Sequence, residues 1–322
     1  MNLKIPEHLK SLYPKLPYHN LSHTESFDWA NCPSTEAYWA AIFHDIVYDP
    51  MRKDNEEMSI KKMQQYLSEI EMTTPMGVIC TGDGVNIDQV KKLILSTKDH
   101  VKNYDPTDHD MVWLHKNDLA CFRANANIFQ NEMNIFKEFQ FIHFKEYKEK
   151  RQIVLSYYHK HPLVSQLLVE RIIAFLDIWQ PSIGLFVGSF DPFHRGHYDI
   201  LQQAEKVYDK VIVAQGQNED KETHKYSLDD VPVLKYYEKM EYRGSLTDLV
   251  NRLHTVYPKL GIVRGLRNYH DLHDESGLFN FVKDYTDVPF SYFISKSENL
   301  HISSGAIRKL EKLGQNIQNY LP

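Results

Sequence analysis

The sequence predicts an all-α domain followed by an α/β domain with a parallel sheet. In the first half, apolar residues recur at helical spacing. In the second half, short apolar runs alternate with helical segments, a pattern typical of parallel strands joined by crossover helices. The length of 322 residues also favours two hydrophobic cores over one. The pattern changes at residues 179–183, so the predicted domains are residues 1–179 and 183–322.

The first half contains six segments with the apolar spacing of amphipathic helices. They are EAYWAAIFHDIVY (36–48), NEEMSIKKMQQYLSEI (55–70), NIDQVKKLILSTKDH (86–100), HDMVWLHKNDLACF (109–122), NIFQNEMNIFKEFQ (127–140) and LVSQLLVERIIAFLDIW (163–179). The Gly, Pro and Thr content of residues 72–86 predicts a loop.

The second half alternates between strand-like and helix-like segments. The predicted strands are IGLFVGSF (183–190), KVIVAQ (210–215), LGIVRGL (260–266) and PFSYFIS (289–295). The predicted helices are HYDILQQAEKVYD (197–209), SLDDVPVLKYYEKM (227–240), LTDLVNRLHTVY (246–257), ESGLFNFVKDY (275–285) and SGAIRKLEKL (304–313). Because the strands are buried runs separated by helices, we expect a parallel sheet.

Composition and charge argue against a nucleic-acid-binding, a membrane-spanning or a secreted protein. The net charge of −6 argues against a nucleic-acid partner, and the longest apolar stretches are too short to span a bilayer. The first residues lack the apolar core of a signal peptide. Cys32, Cys80 and Cys121 form no CxxC pair, which indicates reduced thiols. We therefore expect a cytoplasmic protein with no membrane contact.

The segment GSFDPFHRGHYDI (188–200) lies where a predicted strand ends and a helix begins. Gly188 and Ser189 allow the backbone to approach a ligand closely. His194 and His197 then lie at a helix N-terminus, which favours anions. A lone HxxH pair is more often one surface histidine and one packed histidine. Here the position beyond a strand end predicts a phosphate site.

Three further features follow predicted strands at the same edge of the sheet. Lys221 follows the strand KVIVAQ, the segment RGLRN (264–268) follows LGIV, and the segment ISSGAIR (302–308) follows PFSYFIS. Each has an ordinary interpretation alone, as a solvated loop charge or a helix N-cap. Together they predict the rim of a ligand site.

These motifs resemble the HxGH nucleotidyltransferases, most closely phosphopantetheine adenylyltransferase, over residues 183–322. The resemblance implies a Rossmann-like domain that transfers the adenylyl group of ATP, with Mg²⁺, to a phosphomonoester. It implies catalytic roles for His194, His197, Lys221 and Arg264. It implies ATP or phosphate contacts for Gly188, Ser189, Phe190, Asp191, Arg267, Glu275, Ser303 and Ser304.

Three departures bear on the acceptor. His194 stands where the phosphopantetheine family usually has Thr, and Phe281–Val282 and Asn299–Leu300 replace two further family positions. Phosphopantetheine is the favoured acceptor because of the RGLR motif and the position of Lys221. Nicotinamide or nicotinate mononucleotide is the alternative, because His194 restores the general superfamily motif. The phosphopantetheine adenylyltransferase family forms hexamers, so the resemblance also implies a possible homo-oligomer for this chain.

The first half places His44 and Asp45 next to each other in an apolar segment. A buried charged pair is costly unless something compensates it, and a metal ion is one such compensation. Carboxylates and imidazoles on separate helices can converge on one cation. The ordinary alternative is a hydrogen-bonded pair at a helix end.

The spacing H…HD…D, with YHNLSH, FHDIVYD, DNEEMS and NDL, resembles the HD-domain metal-dependent phosphohydrolases over residues 15–125. The resemblance implies one divalent metal (Mn, Fe, Co, Ni or Mg) held by His23, His44, Asp45 and Asp118, with His19 as a competing first ligand. It implies that Glu56, with Glu57 and Asp54 as further candidates, orients the attacking water. Lys98 and His100 are candidate contacts to a substrate phosphate.

Three functions follow from these patterns. The first is a bifunctional enzyme that combines an adenylyltransferase with a hydrolase of a nucleotide-related phosphate ester. The second is a nucleotide-binding sensor module joined to a working hydrolase. The third is a nuclease, which the net charge of −6 disfavours.

Overall fold

The computed structural model describes residues 4–73, 84–123, 127–217 and 225–322. The chain divides into two compact units, one of Met1–Glu138 with Tyr147–Asp177 and one of Phe139–Glu146 with Ile178–Pro322. The short segment Phe139–Glu146 therefore groups with the second unit. Among the described residues, no helix is long and apolar enough to cross a membrane.

The regular elements of the first unit, among its described residues, are helices. Its helices are α1 (Glu7–Lys10), α2 (Leu21–Glu25), α3 (Thr35–Phe43), α4 (Asn55–Thr73), α5 (Ile87–Thr97), α6 (His109–Asp118), α7 (Ile128–Glu138), α8 (Phe144–Tyr158) and α9 (Gln166–Ile178). The centre is α3, in which every residue from Ala37 to Phe43 is buried. Ser34 caps it by accepting a hydrogen bond from the N–H of Ala37, which satisfies an otherwise unpaired donor at the helix start.

The sequence-predicted helices of this unit differ from the structure at two places. The helix predicted over residues 36–48 ends at Phe43, so His44 and Asp45 lie in the turn that follows it. Helix α8 was not predicted, because its sequence FKEYKEKRQIVLSYY is largely polar and only Tyr147 and Leu155 are buried. Its apolar spacing is too sparse to distinguish a helix from a polar connection.

The second unit contains a five-stranded sheet flanked by helices. The strands are β1 (Ile183–Gly188), β2 (Lys210–Gln217), β3 (Glu238–Arg243), β4 (Leu260–Leu266) and β5 (Phe290–Ile294), and the helices that follow β1 are α10 (Arg195–Ala204), α11 (Leu246–His254), α12 (Tyr269–Lys283) and α13 (Ser304–Lys312). All strand pairs are parallel, in the order β3-β2-β1-β4-β5. The predicted parallel sheet is confirmed, and this order fits a Rossmann-like nucleotidyltransferase.

Strand β3 corrects one prediction. Residues 227–240, predicted as a helix, form two short 3-10 turns and then enter β3. The strand lies at the edge of the sheet, and no residue in it is fully buried. Its sequence EKMEYR therefore lacks the apolar run that marks the central strands.

The strand order reverses at β1, which has β2 on one side and β4 on the other. Ile183 pairs with Lys210 of β2 and with Leu260 of β4. The connections from these two strands leave on opposite sides, so a crevice opens beyond their carboxyl ends. The GSFDPFHRGH segment follows β1, and the RGLRN segment begins in β4, so both meet at this crevice.

Candidate functional site

A pocket of about 340 Å³ lies in the crevice beyond β1 and β4. Its walls come from the ends of these two strands, the first turns of α10 and α13, and α12. Ten of the twelve predicted transferase residues line it: Gly188, Ser189, Phe190, His194, His197, Arg264, Arg267, Glu275, Ser303 and Ser304. Lys221 lies outside the described residues, and Asp191 does not line the pocket.

His194 and His197 cap the start of α10 reciprocally. The N–H of His197 donates to Nδ1 of His194 at 3.3 Å, and the N–H of His194 donates to Nδ1 of His197 at 3.2 Å. The rings stack with their centroids 3.6 Å apart. Because both Nδ1 atoms accept hydrogen bonds, the neutral rings carry their protons on Nε2. Each histidine can therefore donate a hydrogen bond from Nε2 to an anion.

The electrostatics of the pocket keep both imidazoles neutral. Burial, followed by the nearby Arg267, lowers the pKa of His194 to about 4. Burial, with His194, Arg267 and Arg264, holds the pKa of His197 well below its ordinary value. Their contribution to anion binding at neutral pH is thus hydrogen bonding, while the positive charge comes from the arginines.

Both arginines are held in place by acidic residues of α12. Arg264 forms an ion pair with Glu275, in which Nε lies 2.7 Å from Oε2, and also donates to the carbonyl of Val187 at 2.7 Å. Arg267 forms two 2.8 Å bonds to Asp271. Glu275 therefore acts on the pocket through Arg264, by fixing the plane of its guanidinium.

The two serines lie at the N-terminus of α13. Ser303 is the N-cap, and its side chain accepts a hydrogen bond from the N–H of Ala306 at 3.1 Å. The hydroxyl of Ser304 donates to the carbonyl of Pro192 at 2.9 Å. A second helix N-terminus thus lines the pocket, with its partial positive charge available to an anion.

Phe190 and Asp191 shape the turn between β1 and α10. The side chain of Phe190 is buried in the core, and its backbone has a positive φ of 43°. The carboxylate of Asp191 accepts the N–H groups of Lys225 and Tyr226 at 3.1 and 3.2 Å. It also lies 3.4 Å from the guanidinium of Arg308. Asp191 therefore joins the turn to two other segments of the unit.

A second group of polar side chains lies in the helical unit. His23, His44, Asp45 and Asp118 each offer one ligand atom, and these atoms all lie within 4.8 Å of one another. They come from α2, from the turn after α3 and from the end of α6. We call these four residues the HD cluster.

The donor set of the HD cluster fits a divalent cation. His44 is buried, and Nδ1 donates to the carbonyl of Ala41 at 2.8 Å, so Nε2 presents a lone pair. That Nε2 makes no hydrogen bond among the described residues, yet it lies 3.2 Å from a carboxylate oxygen of Asp45 and 3.6 Å from one of Asp118. Two carboxylates and an unpaired imidazole nitrogen are a ligand set that divalent metals bind.

The two histidines predicted as alternatives for the first metal ligand, His23 and His19, have different carboxylate partners. Nε2 of His23 lies 3.0 Å from Oδ1 of Asp118, inside the cluster. His19 instead places Nδ1 2.6 Å from Oε2 of the buried Glu138. Burial lowers the pKa of His19, but the hydrogen bond and charge of Glu138 outweigh this effect and raise it overall.

The surroundings of four other predicted side chains are also defined. His100 lies with Nε2 2.7 Å from Oδ2 of Asp118, so it contacts a predicted metal ligand. Lys98 forms an ion pair with Glu57. Glu56 is half-buried, and its pKa is raised by burial, although the charge of Lys98 opposes this effect.

Sequence reasoning missed Glu138. It lies at a buried position of α7, close to Ile135 and Phe136. A carboxylate at a position where the helical pattern expects an apolar residue was the available signal, because such a group must be paired inside the protein.

The comparisons with known proteins match the region that contains the pocket. The cytidylyltransferase-like family matches residues 185–310. Two curated phosphopantetheine adenylyltransferases of Streptococcus pneumoniae strains are 36% identical over 153 residues and 38% identical over 152 residues; each match spans 44% of this chain and 90% of the relative.

A solved structure described as a putative nicotinate-nucleotide adenylyltransferase from Vibrio parahaemolyticus is also similar. It is 17% identical, with a TM-score of 0.34, and the match spans 44% of this chain and 92% of that one. The family match and the curated relatives both cover the second unit. Through its C-terminal region, the chain belongs to the cytidylyltransferase-like family, and this adenylyltransferase-like domain resembles phosphopantetheine adenylyltransferase.

Proposed function

We propose that the C-terminal domain transfers the adenylyl group of ATP to 4′-phosphopantetheine or a similar phosphomonoester and releases pyrophosphate. The observation that carries this proposal is the His194–His197 pair at a helix N-terminus, in a pocket that Arg264 and Arg267 also line. The curated relatives are named phosphopantetheine adenylyltransferases, which supports the choice of acceptor.

In this reaction an acceptor phosphate oxygen attacks the α-phosphorus of ATP, and the bond to the pyrophosphate leaving group breaks. The acceptor supplies the nucleophile, so the protein contributes positioning and charge stabilisation. His197 donates to the α-phosphate and His194 to the departing phosphates. Lys221, Arg264 and Arg267 balance the negative charge, and ATP arrives with Mg²⁺ as its counterion.

A second acceptor class has support in one residue. His194 occupies the position where the general superfamily motif has histidine, and its cap on α10 is fully formed. Nicotinamide or nicotinate mononucleotide is therefore the alternative acceptor. Both classes present a phosphomonoester, so the chemistry at the α-phosphate is the same and only the pocket walls distinguish them.

The test measures pyrophosphate release from ATP and Mg²⁺ with 4′-phosphopantetheine, nicotinamide mononucleotide, nicotinate mononucleotide or no acceptor. We expect release with the first compound and its loss in His197→Ala. His254→Ala, at an exposed position of α11, is the matched control. Release that persists in His197→Ala overturns the assignment. Tight ATP binding without release for any acceptor indicates the sensor module instead.

We also propose that the helical unit is an HD-type metal-dependent phosphohydrolase. His23, His44, Asp45 and Asp118 would hold one divalent metal (Mn, Fe, Co, Ni or Mg). When bound, such an ion polarises a phosphoryl oxygen and favours ionisation of water. Glu56, half-buried near the HD cluster, would orient the attacking water, and Lys98 would contact the substrate phosphate.

The hydrolase proposal is tested by metal content and turnover together. Purified protein is loaded with each candidate metal, its bound metal is measured by atomic emission, and phosphate release is measured from nucleotides and aryl phosphates. Asp45→Asn is expected to lose both, whereas Asp88→Asn, whose side chain is 90% exposed on α5, is expected to keep both. Full activity in Asp45→Asn contradicts the proposal.

A further inference from the structure

A carboxylate–imidazole pair lies beside the HD cluster and has no role in the hydrolysis proposed for that cluster. Glu138, at the end of α7, is buried, and its Oε2 lies 2.6 Å from Nδ1 of His19. Its Oε1 accepts the backbone N–H groups of Tyr18 and His19 at 2.6 and 2.7 Å. A single buried carboxylate thus makes three hydrogen bonds to two adjacent residues.

These bonds set the orientation of the His19 ring. Nδ1 faces Glu138, so Nε2 is the ring nitrogen left for another partner. The ring also lies flat against Tyr48, with centroids 3.8 Å apart and planes 14° apart. An imidazole held by a carboxylate on one edge and an aromatic ring on one face has little freedom to rotate.

The oriented ring is close to the HD cluster without being part of it. Its centroid lies 6.3 Å from that of His23, and its side chain is 19% exposed. Glu138, by contrast, is fully enclosed, with a side-chain exposure of 0%. Glu138 is therefore closed to solvent, whereas His19 is partly exposed. This is expected for an imidazole that exchanges a proton with a substrate.

We propose that His19, positioned by Glu138, is the general acid of the hydrolase, an inference that rests on the metal-dependent hydrolysis proposed above. The oxygen of water bonds to phosphorus as the phosphorus–oxygen ester bond breaks. The electron pair of that bond passes to the leaving oxygen, which takes the proton from Nε2 of His19. The attacking water releases a proton to solvent, and solvent returns one to His19. The products are an alcohol and inorganic phosphate.

The test uses two substrates that differ in their need for an acid. 4-Nitrophenyl phosphate has a stable leaving anion, whereas phenyl phosphate has a more basic one that benefits from protonation. In Mn-loaded His19→Gln we expect kcat/KM for phenyl phosphate to fall by about 10²–10⁴-fold, the usual contribution of a general acid. For 4-nitrophenyl phosphate we expect a fall of less than about tenfold. Bound metal, measured by atomic emission, should not change.

Glu138→Gln provides a second variant if His19→Gln does not fold. As a positioning residue, Glu138 should show the same selective loss on phenyl phosphate, with a smaller magnitude. Glu149→Gln, at an exposed position of α8, is the matched control and should behave as wild type.

The possible results distinguish failure of the general-acid role of His19 from failure of the hydrolase proposal. Equal losses on both substrates, or loss of bound metal, overturn the role of His19 as an acid and leave it a structural residue or a metal ligand. Inactivity of the wild-type protein on both substrates, in the presence of every candidate metal, overturns the hydrolase itself and the acid with it.

Discussion

The two candidate sites are built in opposite ways. The transferase histidines lie three positions apart, at the junction of β1 and α10, and cap one helix. The HD cluster instead draws its residues from α2, from the turn after α3 and from the end of α6, between His23 and Asp118. The first arrangement needs little more than a local strand–turn–helix conformation, whereas the second exists only after the helices have packed. The first is therefore the easier to recognise in a sequence.

The sites also differ in the charge that they present. The pocket offers neutral imidazole donors, arginines and two helix N-termini, which suit the phosphates of a nucleotide directly. The HD cluster offers two carboxylates, which repel a phosphate unless a cation lies between them. If both proposals hold, substitutions in one site should leave the chemistry of the other unchanged.

The largest expected effect is the separation of the two activities by Asp45→Asn. Removal of one carboxylate from the HD cluster weakens metal binding, so hydrolysis should fall to the background of the assay. Pyrophosphate release by the same preparation should equal that of wild type. Metal analysis and both assays on one sample check this. Loss of both activities in Asp45→Asn would contradict the independence of the two sites.

The next effect distinguishes the two histidines of the pocket. His197→Ala removes a donor to the reacting phosphate and should lower kcat for pyrophosphate release by about 10²–10³-fold. His194→Thr should cost much less, because Thr also caps a helix and is the usual residue of the phosphopantetheine family. Steady-state kinetics of both variants check this. Equal losses would assign the two rings the same role.

A smaller effect concerns the stability of the turn before α10. A Cβ added at Gly188 would lie 2.8 Å from the ring of the buried Phe190. Gly188→Ala should therefore lower the free energy of unfolding of the C-terminal domain by about 1–3 kcal/mol. Gly277→Ala in α12, where the added Cβ meets no atom within 4 Å, should not be destabilising. Urea titrations of both variants check this; equal stabilities would exclude the clash.

The smallest effect is a pH dependence of stability in the C-terminal domain. The pKa of His194 is about 4 in the folded protein, below its ordinary value of 6.5, so the unfolded chain binds more protons between these values. Stability should therefore fall as the pH falls from 6.5, by about 1 kcal/mol at pH 5.5 from this residue alone. Urea titrations at the two pH values should show a smaller loss in His194→Thr. If His194→Thr loses as much stability as wild type between pH 6.5 and 5.5, the pH dependence does not come from His194.

Residue patterns predicted the features that depend on local order. The apolar runs of β1, β2 and β4 marked the parallel sheet because these central strands are buried on both faces. The edge strand β5 was also predicted, because its sequence FSYFI is apolar although none of its residues is fully buried. The strand end followed by FDPFHRGH indicated a phosphate site because each feature there is set by neighbours in the chain. Helix α8 and the edge strand β3 were missed because exposure leaves their sequences without a strong apolar period.

The sequence by itself determined that His19 and His23 are both candidate ligands, since they share one short motif. The tertiary structure placed them differently. Glu138, 119 residues from His19 along the chain, holds the His19 ring, and Asp118 faces His23. Sequence patterns report the conformation of nearby residues, whereas which carboxylate meets which imidazole depends on helices packed across long separations. That pairing is therefore decided only by the folded structure.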